Sequence, residues 1–486
     1  MSLTSALSIA QTALLNTSRQ TNIVSRNISD AQNPDYSRRQ AVIASYAPGA
    51  RVVEIQRSAN EQLFRQNLAA LSSFTGQSAL LAGLDDLAMS VNGVDNATSP
   101  ATVIGQFQEA LHLFATTPSN RTLAENAVDA ARQVVRALND GSAAIQTARA
   151  DIDKSISEAV TSLNSLLQDF HAANSEVVAG TRAGRDVSEA LDKRDAVLKK
   201  ISEFIPITTL KRADNDMVIM TGEGAMLYEK LPRTITFDSI PGYSPGATGN
   251  AVYVDGVAIV GGQGGNTSAS GTIAAMMQLR DNVAPTMQSQ LDEIARAMIT
   301  AMAETDPNGV QPPAAGLFTW SGAPAIPPAG TVVDGLAASI SINAAMDFSI
   351  GGDPVLLRDG GANGAAYIWN TFSAASYSDL LNSYNAKLDD DQSFDLAAGL
   401  GSGGTVGTYS AGAISWLEAM RQTAAGAAET KNALMVHTAE ALSNATGVNI
   451  DQEMSILLDL ENAYEASVRL IRAVDDMLAA LFAAVR

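Results

Sequence analysis

An apolar helical stripe at each end of the chain is the feature that most limits how this sequence can fold. In both stripes apolar and small residues recur at intervals of three, four and seven, which places them on one face of an α-helix. The first stripe consists of Leu3, Leu7, Ala10, Leu14, Thr17, Thr21, Val24 and Ile28. The second consists of Ile450, Met454, Leu457, Tyr464, Val468, Ile471, Leu478 and Phe482. Because contiguous apolar surface marks a contact site, we expect the stripes to pack against each other and against neighbouring subunits. The alternative is that two helices close one ordinary bundle.

The segment that follows the first stripe predicts a helix end and then extended structure. Proline has no N–H and pushes the preceding residue towards extended geometry, so the first helix is expected to stop at Asn33-Pro34. Residues 40–57, QAVIASYAPGARVVEIQR, then predict short extended segments around a Pro-Gly turn.

The middle of the chain alternates between helical and extended patterns. Residues 119–205 carry helical periodicity, including a long coiled-coil-like seam from Ile152 to Val177. In residues 206–270 the pattern is alternating, and Asp255-Gly256 between β-branched residues predicts a hairpin. Helical patterns return at residues 272–304, 411–442 and 450–486.

The junction before the last helix has its own signals. Gly447 predicts a helix end in the left-handed conformation, and Asn449 predicts a cap for the next helix. Asp451 and Glu453 follow in the first turn, where carboxylates interact favourably with the positive end of the helix dipole.

These patterns predict a mainly α protein with an inserted β-containing domain, in which long coiled-coil-like N- and C-terminal helices pair as a terminal domain. The predicted terminal assembly domain comprises residues 1–45 and 445–486. The predicted helical bundle comprises residues 46–205, 271–304 and 411–444. An outer β domain is predicted at residues 206–270, and a mixed Gly/Ala-rich outer or connecting region at residues 305–410.

Composition excludes several classes of function. The chain has 486 residues and a net charge of −20, which disfavours binding to nucleic acid or an anionic membrane. It contains no cysteine, so disulfides, thiol catalysis and cysteine-ligated zinc are excluded. The N-terminal residues lack the pattern of a cleaved signal peptide, and no stretch approaches the roughly 20 apolar residues of a membrane span.

Catalytic motifs are weak throughout the chain. GYSPG at residues 242–246 matches G-x-S-x-G, but Pro245 lacks the N–H that an oxyanion hole takes from that position. GLGSGG at residues 399–404 satisfies G-x-G-x-x-G without a βαβ unit around it. The three histidines, His112, His171 and His437, lie in separate helical segments. We therefore predict a protein that is not an enzyme, without catalytic, cofactor-binding or metal-binding residues and without a cofactor.

Both ends resemble the flagellar axial proteins. Residues 6–40, which end in NPDYSRRQ, resemble the opening of that family and in particular of its hook–filament junction members. Residues 446–482 contain Gly447-Val448-Asn449 and Ala463-Tyr464-x-Ala466-Ser467, a combination similar to the rod, hook and junction group. The sequence departs from the family at Asp35, where glycine is common, and in the acidic residues of LLDLENAYEAS, where glutamine is common.

The resemblance implies a secreted structural subunit that joins the flagellar hook to the filament and is exported through the type III channel without a cleaved signal peptide. It implies four partners: other copies in a ring, the hook protein, a second junction protein, and a cytoplasmic export chaperone on the C-terminal helix. No nucleic-acid or membrane partner is expected. It also adds Asn33, Pro34 and Tyr36 to the assembly interface predicted from the two stripes: Leu3, Leu7, Leu14, Val24, Ile28, Ile450, Met454, Leu457, Tyr464, Val468, Ile471, Leu478 and Phe482.

Two other functions stay open on the sequence. The nearer is another axial subunit, such as a hook, distal rod or flagellin-like protein, which would occupy a different position in the flagellum. The more distant is a flagellum-associated cell-wall hydrolase, which would need a paired carboxylate or a histidine site.

Overall fold

The computed structural model describes residues 3–46, 49–259 and 270–484 of the chain. Most of these residues are helical, and the two terminal helices pack against each other, which confirms the predicted fold class. The helices are α1 (Leu3–Ser29), α2 (Glu61–Asn92), α3 (Pro100–Thr116), α4 (Arg121–Arg182), α5 (Ser188–Phe204), α6 (Thr272–Gln278), α7 (Ala284–Ala301), α8 (Leu336–Ser339), α9 (Leu356–Asp359), α10 (Asp379–Asp389), α11 (Val406–Thr446) and α12 (Ile450–Ala484).

The strands form small antiparallel sheets. They are β1 (Arg39–Tyr46), β2 (Gly49–Arg57), β3 (Ile207–Lys211), β4 (Met217–Thr221), β5 (Met226–Tyr228), β6 (Ile235–Thr236), β7 (Tyr253–Val254), β8 (Val257–Ala258), β9 (Phe318–Thr319), β10 (Ser341–Ile342), β11 (Gln392–Ser393) and β12 (Gly403–Gly404). The sheets are β1–β2, β3–β4–β5, β6–β7–β8, β9–β10 and β11–β12. Asp255 and Gly256 connect β7 to β8 with φ values of 50° and 81°, which confirms the predicted hairpin turn.

Helix α4 runs through two apolar cores. It has 62 residues, which corresponds to about 90 Å at 1.5 Å per residue. Val134 and Leu138 in its first half are fully buried in a core shared with α2, α3, α7 and α10. Leu163 and Phe170 in its second half are fully buried in a core shared with α5 and strands β3 to β7. The strands assigned to an outer domain thus share a core with the helices, and the domain boundaries stay a prediction.

Helix α11 returns the chain to the level at which α2 begins. The two helices run antiparallel, since Asn67 near the start of α2 donates to Thr438 near the end of α11 over 3.2 Å. At the other end of the pair, Arg421 donates to Asp85 over 2.7 Å. This pairing positions α12 beside the end of α1.

The predicted end of the first helix is wrong by about one turn, because α1 stops at Ser29. The following residues form turns instead: the Asn33 N–H donates to the Asp30 carbonyl over 3.0 Å, and the Tyr36 N–H donates to the Asn33 carbonyl over 3.1 Å. These turns fold the chain back, so that Tyr36 reaches the last turns of α1.

The predicted left-handed conformation of Gly447 is also wrong, since its φ is −77°. Glycine is needed there for a different reason: a Cβ atom would lie 2.5 Å from the Ser443 carbonyl oxygen. The predicted cap of α12 is confirmed, because Asn449 Oδ1 accepts the Gln452 N–H over 3.2 Å.

We call the helices α2 to α11, with the strands β3 to β12 that lie among them, the helical body. A buried carboxylate in α7 gives this helical body a pH-dependent stability. Asp292 is fully buried and accepts the N–H groups of Gly335 at 3.0 Å and Ala337 at 2.8 Å. Burial raises the pKa of Asp292 to about 6, although these hydrogen bonds act in the opposite direction. The folded chain therefore keeps a proton that the unfolded chain has already released, so stability falls as the pH rises through this window.

We expect Asp292→Asn to remove this dependence. The free energy of unfolding of the wild type, relative to the variant, should fall by roughly 2–3 kcal/mol between pH 4 and pH 7. Urea unfolding across that range measures it, with Asp151→Asn on the exposed side of α4 as the control for loss of one charge. Parallel pH profiles for the wild type and Asp292→Asn would contradict this assignment.

Candidate assembly site at the paired chain ends

Helices α1 and α12 form an antiparallel pair. The last turns of α1 meet the first turn of α12, and the two helices then pack along each other. Ala10, Thr17 and Val24 are buried on α1, and Leu460 and Val474 are buried on α12. The two apolar stripes thus meet within one subunit, as one part of the sequence-based prediction required.

The predicted interface residues of the two helices differ in exposure. Val24 is buried, and the half-buried members are Leu3, Leu7, Leu14, Ile28, Leu457, Val468, Ile471 and Leu478. Four members remain exposed to solvent: Ile450 (45%), Met454 (45%), Tyr464 (46%) and Phe482 (70%). One face of the paired helices therefore remains available for contacts outside the subunit, and those contacts stay a prediction.

The three interface residues predicted after α1 do not lie together. Asn33 and Pro34 are exposed, whereas Tyr36 is buried. The Tyr36 hydroxyl donates to Asn27 Oδ1 over 2.8 Å, and the Arg39 guanidinium lies 4.7 Å from the centre of its ring. Burial raises the pKa of Tyr36. In this subunit Tyr36 belongs to an internal polar network.

Asn27 is the centre of that network and is completely buried. Its amide nitrogen donates to the Arg39 carbonyl over 2.9 Å and to Glu453 Oε2 over 3.0 Å. Its amide oxygen accepts from Tyr36 and from the Arg39 N–H. Both donors and both acceptor positions of the amide are thus used, which fixes its orientation.

Glu453 connects this network to α12. Its side chain is 1% exposed, and Arg38 Nε donates to its Oε1 over 2.6 Å while Asn27 occupies Oε2. The Arg38 N–H donates in turn to the Thr446 carbonyl at the end of α11 over 2.8 Å. Residues 36–39 therefore hold the end of α1, the end of α11 and the start of α12 together.

Arginines join the network to α5. Arg39 donates to Asp192 Oδ2 over 2.9 Å, and Arg57 at the end of β2 donates to Asp195 Oδ2 over 2.6 Å. Arg57 Nε also lies 2.7 Å from Asp192 Oδ1. Burial raises the pKa of Asp192, although Arg57 and Arg39 act in the opposite direction. These ion pairs fasten the paired chain ends to the helical body.

The β1–β2 hairpin packs against α1. Asn16 is buried on α1, its oxygen accepts the Val52 N–H over 3.1 Å, and its nitrogen donates to the Ala50 carbonyl. The hairpin thereby follows the middle of the helix. We call α1, β1, β2 and α12 together the terminal unit.

Two flanks of α12 lie beside its seam with α1, each defined by every seventh residue. The acidic flank consists of Met454, Glu461, Val468, Asp475 and Phe482. The apolar flank consists of Ile456, Ala463, Leu470, Met477 and Ala484, of which Leu470 and Met477 are 47% and 50% exposed. Positions beside a two-stranded seam are usually charged, so an apolar flank is typical of a helix with further helical neighbours.

Sequence reasoning missed Asn27, Arg38 and Arg39, and it assigned Glu453 to the helix dipole. The usable signal was a polar residue on the packing side of each helix: Asn27 is next to Ile28, and Glu453 is seven residues before Leu460. A buried polar residue on a helical seam needs a specific hydrogen-bond partner. Here Asn27 and Glu453 are partners of each other.

Comparison with known proteins finds two family models that match segments of this chain. The family model described as the flagellar hook-associated protein FlgK helical domain matches residues 90–316, which include α3 to α7. The model of the C-terminal part of flagellar basal body rod FlgEFG proteins matches residues 440–483, which include almost all of α12. The comparison with curated proteins gives no match.

The solved structures that match include the flagellar hook junction protein FlgK from Burkholderia pseudomallei. It matches with a TM-score of 0.42 and 16% identity, over 53% of this chain and 47% of that chain. The match thus spans about half the length of that protein.

A rod-type C-terminal helix, paired with α1 and joined to a matched hook-associated helical domain, defines a flagellar axial protein. Within that class, the helical domain over residues 90–316 is that of the FlgK family of hook-associated proteins. The match of residues 440–483 confirms the family resemblance of the C-terminal end, and the resemblance of residues 6–40 stays a prediction.

The network predicts a local effect of removing Glu453. Glu453→Ala would leave the buried Asn27 amide and the Arg38 guanidinium without their carboxylate, at a cost of about 3–5 kcal/mol. We expect at least tenfold faster hydrogen exchange in the first turns of α12 and in residues 24–39, with α4 unchanged.

Asp451→Ala is the matched control, because Asp451 lies in the same turn but is exposed. It should leave the exchange rates in residues 24–39 as they are. Equal effects of the two substitutions, measured by hydrogen exchange and mass spectrometry, would mean that the buried network does not hold α12.

Proposed function

We propose that this protein is a structural subunit of the bacterial flagellum that joins the hook to the filament, and that its terminal unit is the assembly domain. The observation that carries the proposal is the exposed apolar surface of α12, in a segment that matches the rod-type C-terminal model. The match of residues 90–316 to the hook-associated helical domain supports a junction-type role.

The physical argument rests on how much of α12 one partner covers. The seam with α1 buries Leu460 and Val474, yet Leu470, Met477 and Phe482 remain about half or more exposed. Burying apolar surface contributes about 25 cal/mol per Å² removed from water. Neighbouring copies in a ring would bury the flanks of α12 that α1 does not cover.

The proposed partners follow from this role. Besides other copies in a ring, they are the hook protein on one side, the second junction protein on the other, and a cytoplasmic chaperone on the C-terminal helix before export. Export would use the flagellar type III channel without a cleaved signal peptide, and the site of action would be the hook–filament junction. In the described part of the chain, no helix combines the length and apolar character that crossing a membrane requires.

We also propose where each domain predicted from the sequence lies in the assembled ring. Residues 1–45 and 445–486 would lie at the inside of the assembled ring, with the helical bundle around them. Residues 206–270 would face outwards, with residues 305–410 as an outer or connecting region. The role is structural and not enzymatic, because self-assembly accounts for the terminal unit without any chemical step.

Electron microscopy of cells that lack this protein tests the proposal. Hooks without filaments are the expected phenotype, and immunogold labelling of complemented cells should mark the boundary between hook and filament. Labelling along the hook, the rod or the filament would instead identify another axial subunit. A normal flagellum in the deletion strain would refute both readings.

A single charge on α12 should separate folding from assembly. Val468 is half-buried on the acidic flank and belongs to neither apolar core of the helical body. Val468→Asp would place an unpaired carboxylate in the proposed intersubunit contact, typically at a cost of several kcal/mol. We expect unchanged thermal unfolding of the helical body, normal secretion and no filaments.

Asn462→Asp is the control, since it adds the same charge at an exposed position outside both flanks. It should support motility. Secretion is followed separately, because a chaperone on the same helix could respond to either substitution. Normal filaments with secreted Val468→Asp protein would show that this flank is not an assembly contact.

A further inference from the structure

A large cleft separates the terminal unit from the helical body. It has a volume of about 1920 Å³ and lies between α1 and β2 on one side and the beginning of α2, α5 and the end of α11 on the other. An α-helix with its side chains is about 10 Å across, so the cleft has room for several helical turns. Its walls include the exposed apolar side chains of Val53 and Leu210.

Four arginines line this cleft without an acidic partner among the described residues. Arg19, Arg26, Arg65 and Arg185 line it and are exposed, and none forms an ion pair with the described part of the chain. We call this concavity the arginine cleft. An unpaired cationic group of this kind is unexpected in a chain with a net charge of −20, since acidic side chains are abundant elsewhere.

Charges in the terminal unit are segregated between its two helices. Helix α1 contains Arg19 and Arg26 and no acidic residue, whereas α12 contains seven acidic and two basic residues. Glu461 and Asp475 on the acidic flank are exposed and form no ion pair within the described residues. The arginines of α1 face the cleft, so the two sets do not neutralise each other within one subunit.

We infer that the arginine cleft binds the acidic flank of α12 from a second copy of this chain. The acidic flank alternates apolar and acidic side chains at seven-residue intervals, and the cleft offers arginines together with apolar walls. Each copy would thus present its own α12 to one neighbour and its cleft to another. Such a head-to-tail contact generates a ring or a helical stack and not a closed pair.

The apolar residues and the charges have different roles in this contact. Glu54, Asp186 and Glu440 also line the cleft, so its net charge alone gives little attraction. Burial of Met454, Val468 and Phe482 would supply most of the free energy, while the arginines would fix which helix face enters and in which orientation. The inference rests on the proposed function and specifies the partner surface within it.

Reciprocal charge reversal in the full-length chain tests the inference. One variant carries Arg19→Glu and Arg26→Glu, and the other carries Glu461→Arg and Asp475→Arg. Each alone should associate at least about tenfold more weakly than the wild type in sedimentation at low salt. Mixed together they should associate again, because the reversed cleft then meets the reversed flank while the unchanged cleft meets the unchanged flank.

The same pair is tested in cells that lack the wild-type protein. Secretion of both variants with filaments only on co-expression is the expected result. Asp459→Arg with Asp476→Arg is the matched control, with the same charge change on exposed residues outside the acidic flank, and it should assemble alone.

Several results would overturn the inference. Filaments with either reversed variant alone, or no rescue by the secreted pair, would show that the two surfaces do not meet. If the variant with Arg19→Glu and Arg26→Glu forms no filaments while the variant with Glu461→Arg and Asp475→Arg forms normal ones, the cleft binds a different partner. These results are distinguishable from failure of the proposed function, which would appear as immunogold labelling away from the hook–filament junction.

Discussion

The buried contact between Asn27 and Glu453 is the constraint on which the terminal unit depends. It joins two residues at opposite ends of the sequence, and neither can be left unpaired at such burial without a large free-energy cost. Arg38 donates to the second carboxylate oxygen of Glu453, so both oxygens are paired. The antiparallel register of α1 and α12 is thereby fixed at one point. An apolar seam alone would tolerate sliding by a heptad, whereas this contact allows one register.

The helical body is built independently of that contact. Helix α4 spans two cores whose buried residues come from the helices and strands between α2 and the first half of α11. The terminal unit is connected to this body through Arg39, Arg57 and the Lys199–Asp35 pair, in which the charged atoms lie 2.7 Å apart. The Arg39 and Arg57 pairs are largely buried, so salt screens them less than the more exposed Lys199–Asp35 pair. The unit is therefore positioned by its subunit and, on the proposed function, stabilised by its neighbours.

Much of the fold was predictable because periodicity reports local structure directly. The stripe of α1, the long seam of α4 and the Asp255-Gly256 turn were all located correctly. Helix α2 was not located, because its apolar residues do not concentrate on one face: it packs against α11, α6, α5 and α4. The end of α1 was misplaced because Asn33-Pro34 only forbids continuation, while the turns that bring Tyr36 to Asn27 end the helix earlier.

The candidate site was harder to predict than the fold, for a physical reason. Apolar seam residues such as Val24 and Leu460 reveal themselves by spacing, but spacing does not say which of several helices they meet. The residues that decide the pairing, Asn27 and Glu453, are polar and look like surface residues until their partners are known. The exposed flanks of α12 present the converse problem, because an apolar residue such as Met477 looks like a buried residue in the sequence. Its exposure is recognisable only after the position of α1 is known. In a sequence of this kind, the proposed assembly surface is therefore the apolar surface of α12 that remains exposed after α1 has packed against it.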